Sequence, residues 1–216
     1  MKVITSSLLI EKGLASAEKQ HPCPKTFTYG GWKFHNDDDF EIKGGTFKAS
    51  FARSCNTAFI SQAKKLGNSD LTRQAQEVFG LSLDNWSIGV PSFDGSVPVQ
   101  SAAQMAASLI GQGGVRMNPL NMASVAATVK SGTFHQPIWC PRPSTTASWP
   151  PPRAPCPPPR SPSCATDAVH RRYGTAAQAM SGLGPDYGAK TGSAEVDNQK
   201  KPNGWFTAYR GDLAAA

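Results

Sequence analysis

Proline density limits what this chain can fold into. Eleven of its 18 prolines fall between Pro137 and Pro162, some of them in runs at 150–152 and 157–159. Proline fixes φ and lacks a backbone N–H, so residues 139–173 cannot continue a helix or a central strand. The sequence therefore divides into a first part over residues 1–138, the Pro/Arg-rich segment over 139–173, and a last part over 174–216.

Two explanations fit the Pro/Arg-rich segment. It is either a disordered, polyproline-like insert or the product of an error in the reading frame. Its abrupt borders favour the frame error, and so do the codons: TGG for Trp139 and TGT for Cys140, followed by the CCN codon of Pro141 and read one base earlier, encode valine and serine. Sequencing the gene distinguishes the two explanations, because only the error predicts a proline-free alternative in another frame.

The net charge of +7 does not indicate a nucleic-acid partner. The Pro/Arg-rich segment holds five arginines and one aspartate, a net of +4, which leaves +3 for the other 181 residues. No RNA-binding motif is present, and the remaining basic residues do not cluster with aromatic ones. The five cysteines form no CxxC pair and the four histidines complete no zinc spacing, so we expect no metal and no other cofactor. An odd number of cysteines leaves at least one thiol unpaired within a monomer, and the disulfide state stays open.

The first residues superficially resemble a signal peptide. Met1-Lys2 precedes an apolar run over 3–10, but polar residues at 5–7 interrupt this run and Glu11-Lys12 follow it. We interpret residues 1–18 as a helix of the domain instead. No stretch approaches the ~20 apolar residues that a membrane-spanning helix needs.

Apolar spacing and turn residues predict the remaining elements. Residues 20–45 should be a loop with short strands. One helical stretch is expected to begin at Thr46, to be interrupted at 54–56 and to end at Gly67. Another should run from Asp70, as its cap, to Phe79. Further helices are expected from Ser101 to Ile110, from Pro119 to Lys130 and over 175–182. Strands are expected over 187–195 and 205–210, joined by a turn at 200–204.

Two short motifs indicate chemistry. Ser54-Cys55-Asn56 lies between two helical segments, and Lys190-Thr191-Gly192 lies on a strand that a hairpin follows. Either motif alone is weak, but together they have the order and context of serine acyl-enzymes that bind penicillin. The surrounding sequence agrees in five places: FARSCNTAFI at 51–60, IGQG at 110–113, PLNMASV at 119–125, GTAA at 174–177 and KTGSA at 190–194.

These residues resemble the transpeptidase domain of penicillin-binding proteins over 1–138 and 174–213. The resemblance implies an α+β fold: an incomplete penicillin-binding transpeptidase fold with a helical subdomain and one antiparallel hairpin from the central sheet. The family's remaining motif is S-x-x-K, and Met1-Lys2 matches the second half of an S-T-M-K version of it. Lys2 would then be the motif lysine, and the nucleophilic serine would lie two residues before Met1. We therefore expect the chain as written to be inactive.

The resemblance also implies roles for the catalytic residues. In the family, the serine attacks the carbonyl of a D-alanyl-D-alanine stem peptide or of a β-lactam. Lys2 would take the serine's proton as general base. Ser54 would relay a proton toward the leaving group, and Asn56 would hold the substrate and the lysine.

Substrate binding is implied for the second motif. Lys190 and Thr191 would bind the carboxylate of the substrate through charge-assisted hydrogen bonds. Gly192 would let the substrate backbone approach the strand, and the N–H of Ser193 would supply half of the oxyanion hole.

Two other functions are compatible with the motifs: a relative of the serine β-lactamases, and a non-catalytic protein that binds β-lactams or peptides. The long separation of the two motifs and the IGQG sequence favour the transpeptidase. The family is extracytoplasmic and anchored in the membrane. Since the chain shows no convincing signal or anchor, we expect it in the cytoplasm if it is expressed alone.

Overall fold

A computed structural model describes residues 1–139, 174–184, 186–195 and 201–216. The helices are α1 (Lys2–Glu11), α2 (Phe47–Ala52), α3 (Asn56–Ile60), α4 (Asp70–Glu77), α5 (Ala102–Ser108) and α6 (Pro119–Ser131), with 3₁₀ turns at Asp37–Asp39 and Ala63–Lys65. The strands are β1 (Thr26–Tyr29), β2 (Trp32–His35), β3 (Tyr187–Ala194), β4 (Asn203–Arg210) and β5 (Leu213–Ala215). Apart from Trp139, the Pro/Arg-rich segment lies outside the described residues, and so does the choice between insert and frame error.

Helix α1 is a core element. Ile4 and Leu9 are fully buried, and the helix packs against α4. The helix ends at Glu11 rather than at residue 18 as predicted, because Gly13 adopts a left-handed φ of 67° that an α-helix cannot continue through. The segment that resembles a signal peptide thus forms a helix that packs in the core. In the part of the chain that the structure describes, no helix is long and apolar enough to cross a membrane.

The helices around the first motif follow the predicted pattern. The Thr46 side chain caps α2 by accepting a hydrogen bond from the N–H of Ala49 at 3.3 Å. The helical conformation is interrupted at residues 53–55, and α3 begins after them. Phe47, Phe51 and Phe59 are fully buried and pack against one another, which joins the two short helices into one core.

The prediction that Asp70 caps α4 is wrong. Asp70 is the first helical residue and Ser69 is the N-cap, without a side-chain hydrogen bond. The carboxylate of Asp70 instead accepts from the N–H of Gly67 at 2.8 Å and pairs with Lys12 and Arg73. These three partners lower the pKa of Asp70 against the opposing effect of its burial.

Helix α6 confirms the prediction at 119–130. Pro119 occupies its first turn, and Asn118 and Asn121 form a reciprocal capping box. Helix α5 is shorter than the predicted 101–110. The prediction of a helix over 175–182 is wrong, because these residues form turns.

Two antiparallel sheets complete the structure. β1 and β2 form a hairpin closed by Gly30 and Gly31, both at positive φ. The second sheet has the order β3-β4-β5. It therefore has three strands rather than the single hairpin expected. The Thr207 hydroxyl lies 2.9 Å from the carbonyl of Met122 and attaches this sheet to α6.

Candidate active site

The ammonium group of Lys2 is the centre of the site. It lies at the first turn of α1 and donates to three oxygens: the Ser54 carbonyl at 2.8 Å, the Ser54 hydroxyl at 3.0 Å and Asn56 Oδ1 at 2.6 Å. Burial, together with the positive charge of Lys190, lowers the pKa of Lys2 to about 7, while Asp37 acts in the opposite direction. The structure thus brings together the three residues that the sequence analysis assigned to catalysis.

The backbone of Ser54 is strained. Its φ of 57° lies in the left-handed region, which is uncommon for residues other than glycine. The N–H of Ser54 bonds to the Phe51 carbonyl at 3.0 Å and the N–H of Cys55 to the Ser50 carbonyl at 2.8 Å. This is the Schellman arrangement that ends a helix, with serine at the position where glycine is usual. The turn directs both oxygens of Ser54 toward Lys2.

The last residue of β2 fixes the orientation of the Asn56 amide. Asn56 Nδ2 donates to the carbonyl of His35 at 3.1 Å, so Oδ1 is the end that faces Lys2. A disulfide joins Cys23, in the same segment 20–45 as His35, to Cys55, the middle residue of the motif. No functional role is predicted from the sequence for the segment 20–45. In the sequence, only the cysteine at the centre of the motif could have indicated this link between the segment 20–45 and the site.

The second motif lies next to the first. Lys190 is buried on β3, its ammonium group is 5.7 Å from the centre of the Phe51 ring, and it donates to the carbonyl of Thr191 at 2.8 Å. Burial lowers the pKa of Lys190 to about 8. Its positive charge also lowers the pKa of Lys2, so the two motif lysines are near enough to repel each other.

Residues 174–177 hold β3 against α2. The hydroxyl groups of Thr175 and Thr191 are in direct contact, and the N–H of Thr175 donates to the carbonyl of Ala52 at 3.3 Å. Thr175 belongs to the GTAA sequence, to which the sequence analysis gave no role.

Gly192 and Ser193 lie further along β3 and are exposed. They pair with Trp205 and Gly204 of β4. A Cβ added to Gly192 would have ordinary contact with Trp205 only, at 3.5 Å, so no described side chain covers the other face of the glycine. Within the described ranges, no three side chains of the metal-binding types come together.

The helical core, the antiparallel sheet and the two adjacent motifs define a protein of the penicillin-binding class. The family model "Penicillin binding protein transpeptidase domain" matches residues 1–146, more than half of the chain, and the chain belongs to this family.

Curated relatives are similar to the chain in sequence, and a solved structure is similar to it in fold. The chain is 36% identical over 85 residues to the peptidoglycan D,D-transpeptidase PbpA of Mycolicibacterium smegmatis. The matched stretch covers 39% of this chain and 17% of that protein. It is 26% identical over 141 residues to PbpA of Mycobacterium tuberculosis, covering 61% and 28%. The imipenem acyl-enzyme complex of M. tuberculosis penicillin-binding protein A superposes with a TM-score of 0.77 at 24% identity, covering 96% of this chain and 50% of that one. The chain thus spans about half the length of the solved structure and less than a third of the curated relatives.

Proposed function

We propose that residues 1–138 and 174–216 together form the acyl-transfer cleft of a peptidoglycan D,D-transpeptidase. The acyl donor is a D-alanyl-D-alanine stem peptide, and β-lactams bind as its analogues. The contact of Lys2 with Ser54 and Asn56, next to Lys190, is the observation that carries this proposal. The PbpA relatives named as peptidoglycan D,D-transpeptidases support it over a β-lactamase.

The contacts of Lys2 fit a general base. A protonated lysine has three N–H donors, and Lys2 uses all three. With a pKa of about 7 it readily becomes neutral, and the amine then has one lone pair. Of its three partners, only the Ser54 hydroxyl can also donate a hydrogen bond. Ser54 can therefore pass a proton to or from Lys2 without any movement of the backbone.

The nucleophile belongs one helical turn before Lys2. In S-x-x-K the serine precedes the lysine by three residues, which places both on one side of a helix. The α-amino group of Met1 is buried, and burial together with the charges of Lys2 and Lys190 lowers its pKa to about 5. A residue that precedes Met1 therefore extends the chain from a buried point on which the charges of both lysines act. We propose that this serine forms the acyl-enzyme and that the 216 residues alone do not.

The covalent step then proceeds as follows. The serine oxygen bonds to the carbonyl carbon of the substrate, the carbonyl oxygen becomes the oxyanion, and the serine's proton moves to Lys2. The carbonyl then re-forms as the bond from this carbon to the leaving nitrogen breaks. Ser54 gives its hydroxyl proton to that nitrogen and takes the proton held by Lys2, which is neutral again. Lys190, protonated below its pKa of about 8, and Thr191 bind the carboxylate, while the N–H of Ser193 stabilises the oxyanion.

Labelled penicillin tests the proposal. Three chains are compared: the 216 residues alone, the chain with Ser-Thr added before Met1, and a control with Ala-Thr added there. We expect covalent label on the Ser-Thr chain only, and its loss in the Lys2→Ala variant of that chain. Label on the 216 residues alone would place the nucleophile elsewhere. A folded Ser-Thr chain that takes no label would refute the proposed function.

A further inference from the structure

Asn36 is a fully buried polar residue between β2 and the acidic 3₁₀ turn. Its amide oxygen accepts from the N–H of Asn56 at 2.8 Å and the N–H of Thr57 at 3.1 Å. Its amide nitrogen donates to the carbonyls of Pro24 at 2.9 Å and Phe40 at 2.8 Å. The amide nitrogen of Asn36 therefore links two parts of the segment 20–45, while its amide oxygen binds the start of α3.

Helix α3 needs this contact. The first N–H groups of a helix have no partner within the helix. In α3 the N-cap is Cys55, whose sulfur accepts from the N–H of Ala58 at 3.3 Å, and sulfur is a weak acceptor. Asn36 supplies the missing acceptor for the two residues before Ala58. It thus fixes the backbone of Asn56, the residue whose side chain contacts Lys2.

The neighbouring residue completes the arrangement. The His35 carbonyl accepts from Asn56 Nδ2, while Asn36 Oδ1 accepts from the backbone N–H of the same residue. The side-chain amide and the backbone N–H of Asn56 are therefore held by two consecutive residues, His35 and Asn36, which lie 21 and 20 positions away in sequence. Asn56 Oδ1 is left with one direction, toward the Lys2 ammonium group.

We propose that Asn36 is a positioning residue for acyl transfer, acting through Asn56 on Lys2. This inference rests on the proposed function. Its specific content is that Asn36 sets the rate of the covalent step rather than the affinity for the substrate. Substrate affinity should depend on Lys190 and Thr191 on β3, and neither is among the hydrogen-bond partners of the Asn36 side chain in the described residues.

Three variants of the Ser-Thr chain separate positioning from general stability. Asn36→Ala removes both ends of the link, and the Cys23–Cys55 disulfide still attaches the loop. Asn36→Asp keeps an acceptor for Asn56 and Thr57 and loses the donors to Pro24 and Phe40. The matched control is Asn118→Ala, which also removes a side-chain cap, but from α6, whose N-terminus does not contact the site.

The first measurement is the rate of penicillin acylation as a function of penicillin concentration, at a temperature well below every melting point. For Asn36→Ala we expect the maximal acylation rate to fall tenfold or more and the dissociation constant of the non-covalent complex to change less than threefold. Asn36→Asp should recover most of the rate, and Asn118→Ala should change neither constant by more than twofold. An unchanged rate in Asn36→Ala, or an Asn36→Asp variant as slow as Asn36→Ala, would overturn the proposal.

The second measurement does not depend on acylation by penicillin. Amide hydrogen exchange of the 216-residue chain reports on the N–H groups of Asn56 and Thr57. We expect faster exchange over 55–60 in Asn36→Ala and over 118–124 in Asn118→Ala, each without an effect on the other segment. Unchanged exchange over 55–60 would overturn the inference even if the Ser-Thr chain took no label. Absence of label with changed exchange would refute the proposed function alone.

Discussion

At the scale of single residues, the site holds several groups in unfavourable states. Lys2 and Lys190 are two ammonium groups placed in one partly buried cleft, and Ser54 has a left-handed backbone. Each arrangement has a free-energy cost, and such costs are typical of functional sites. The strain at Ser54 is the easiest to measure, because glycine removes the strain and the hydroxyl together.

We predict that Ser54→Gly and Ser54→Ala have different stabilities and the same loss of activity. Both variants lack the hydroxyl that contacts Lys2, so neither Ser-Thr chain should be labelled by penicillin at the parent rate. A left-handed residue other than glycine costs roughly 1–2 kcal/mol, partly offset by the greater freedom of glycine in the unfolded chain. Ser54→Gly should therefore be about 1 kcal/mol more stable than Ser54→Ala in urea unfolding. Equal stability of the two variants would show that position 54 carries no strain.

At the scale of elements, the loop over 20–45 is fastened to α3 by covalent and non-covalent links. The disulfide joins Cys23 to the N-cap of α3, and Asn36 binds the next two residues. The buried His21 adds a third link through its ring nitrogen, 3.1 Å from the carbonyl of Ala58. Burial lowers the pKa of His21 and favours a neutral ring, whereas the hydrogen bond to the carbonyl of Ala58 acts in the opposite direction.

We predict that the disulfide is the largest single contribution of this loop to stability. The two cysteines are 32 positions apart, and a loop of that length corresponds to about 3–4 kcal/mol in the chain-entropy treatment. Cys23→Ser, Cys55→Ser and the double variant should lose similar amounts in urea unfolding, since each removes the same bond. The measurement uses chains in which the other three cysteines are serine, and dithiothreitol should destabilise the parent only. Additive losses in the double variant would contradict a bond between these two residues.

Local pattern predicted the elements, but not the contacts between them. Periodicity and capping residues correctly indicated α1, α6 and the break between α2 and α3, because these signals lie within a few residues. The prediction of a helix over 175–182 failed because a short apolar pattern does not distinguish a helix from turns packed against α2. Asn36 could not be found in this way. Its partners are 20 and 21 residues away, and the adjacent acidic run at 37–39 is the more conspicuous feature.

At the scale of the whole molecule, the two separated parts of the sequence meet in one structure. The sheet β3-β4-β5 packs against α6 through Thr207, and Lys190 of β3 lies against Phe51 of α2. The resemblance of the motifs predicted this meeting, whereas composition and periodicity did not. Lys190 gains its low pKa only where β3 and the helical part pack together, so its titration reports on the assembly of the whole fold.

We therefore predict that the stability of the 216-residue chain rises with pH between about 8 and 10. The pKa values of Lys2 and Lys190 fall from 10.5 when unfolded to about 7 and about 8 when folded. In this window the unfolded chain binds more protons, so the free energy of unfolding increases with pH, by about 1 kcal/mol per pH unit for each lysine. The α-amino group of Met1 acts in the same direction, but mainly below pH 8, because its pKa is lowered from 8.0 to about 5.

Urea unfolding at pH 8, 9 and 10 checks this slope, with Lys190→Met as the informative variant. Methionine has a similar length and no charge, so the variant should lose about half of the slope and be more stable than the parent at pH 8. Lys64→Met is the matched control, because Lys64 is exposed on the 3₁₀ turn Ala63–Lys65 and should keep the full slope. A Lys190→Met slope equal to that of the parent would mean that Lys190 stays in water, and that β3 and the helical part do not form a common cleft.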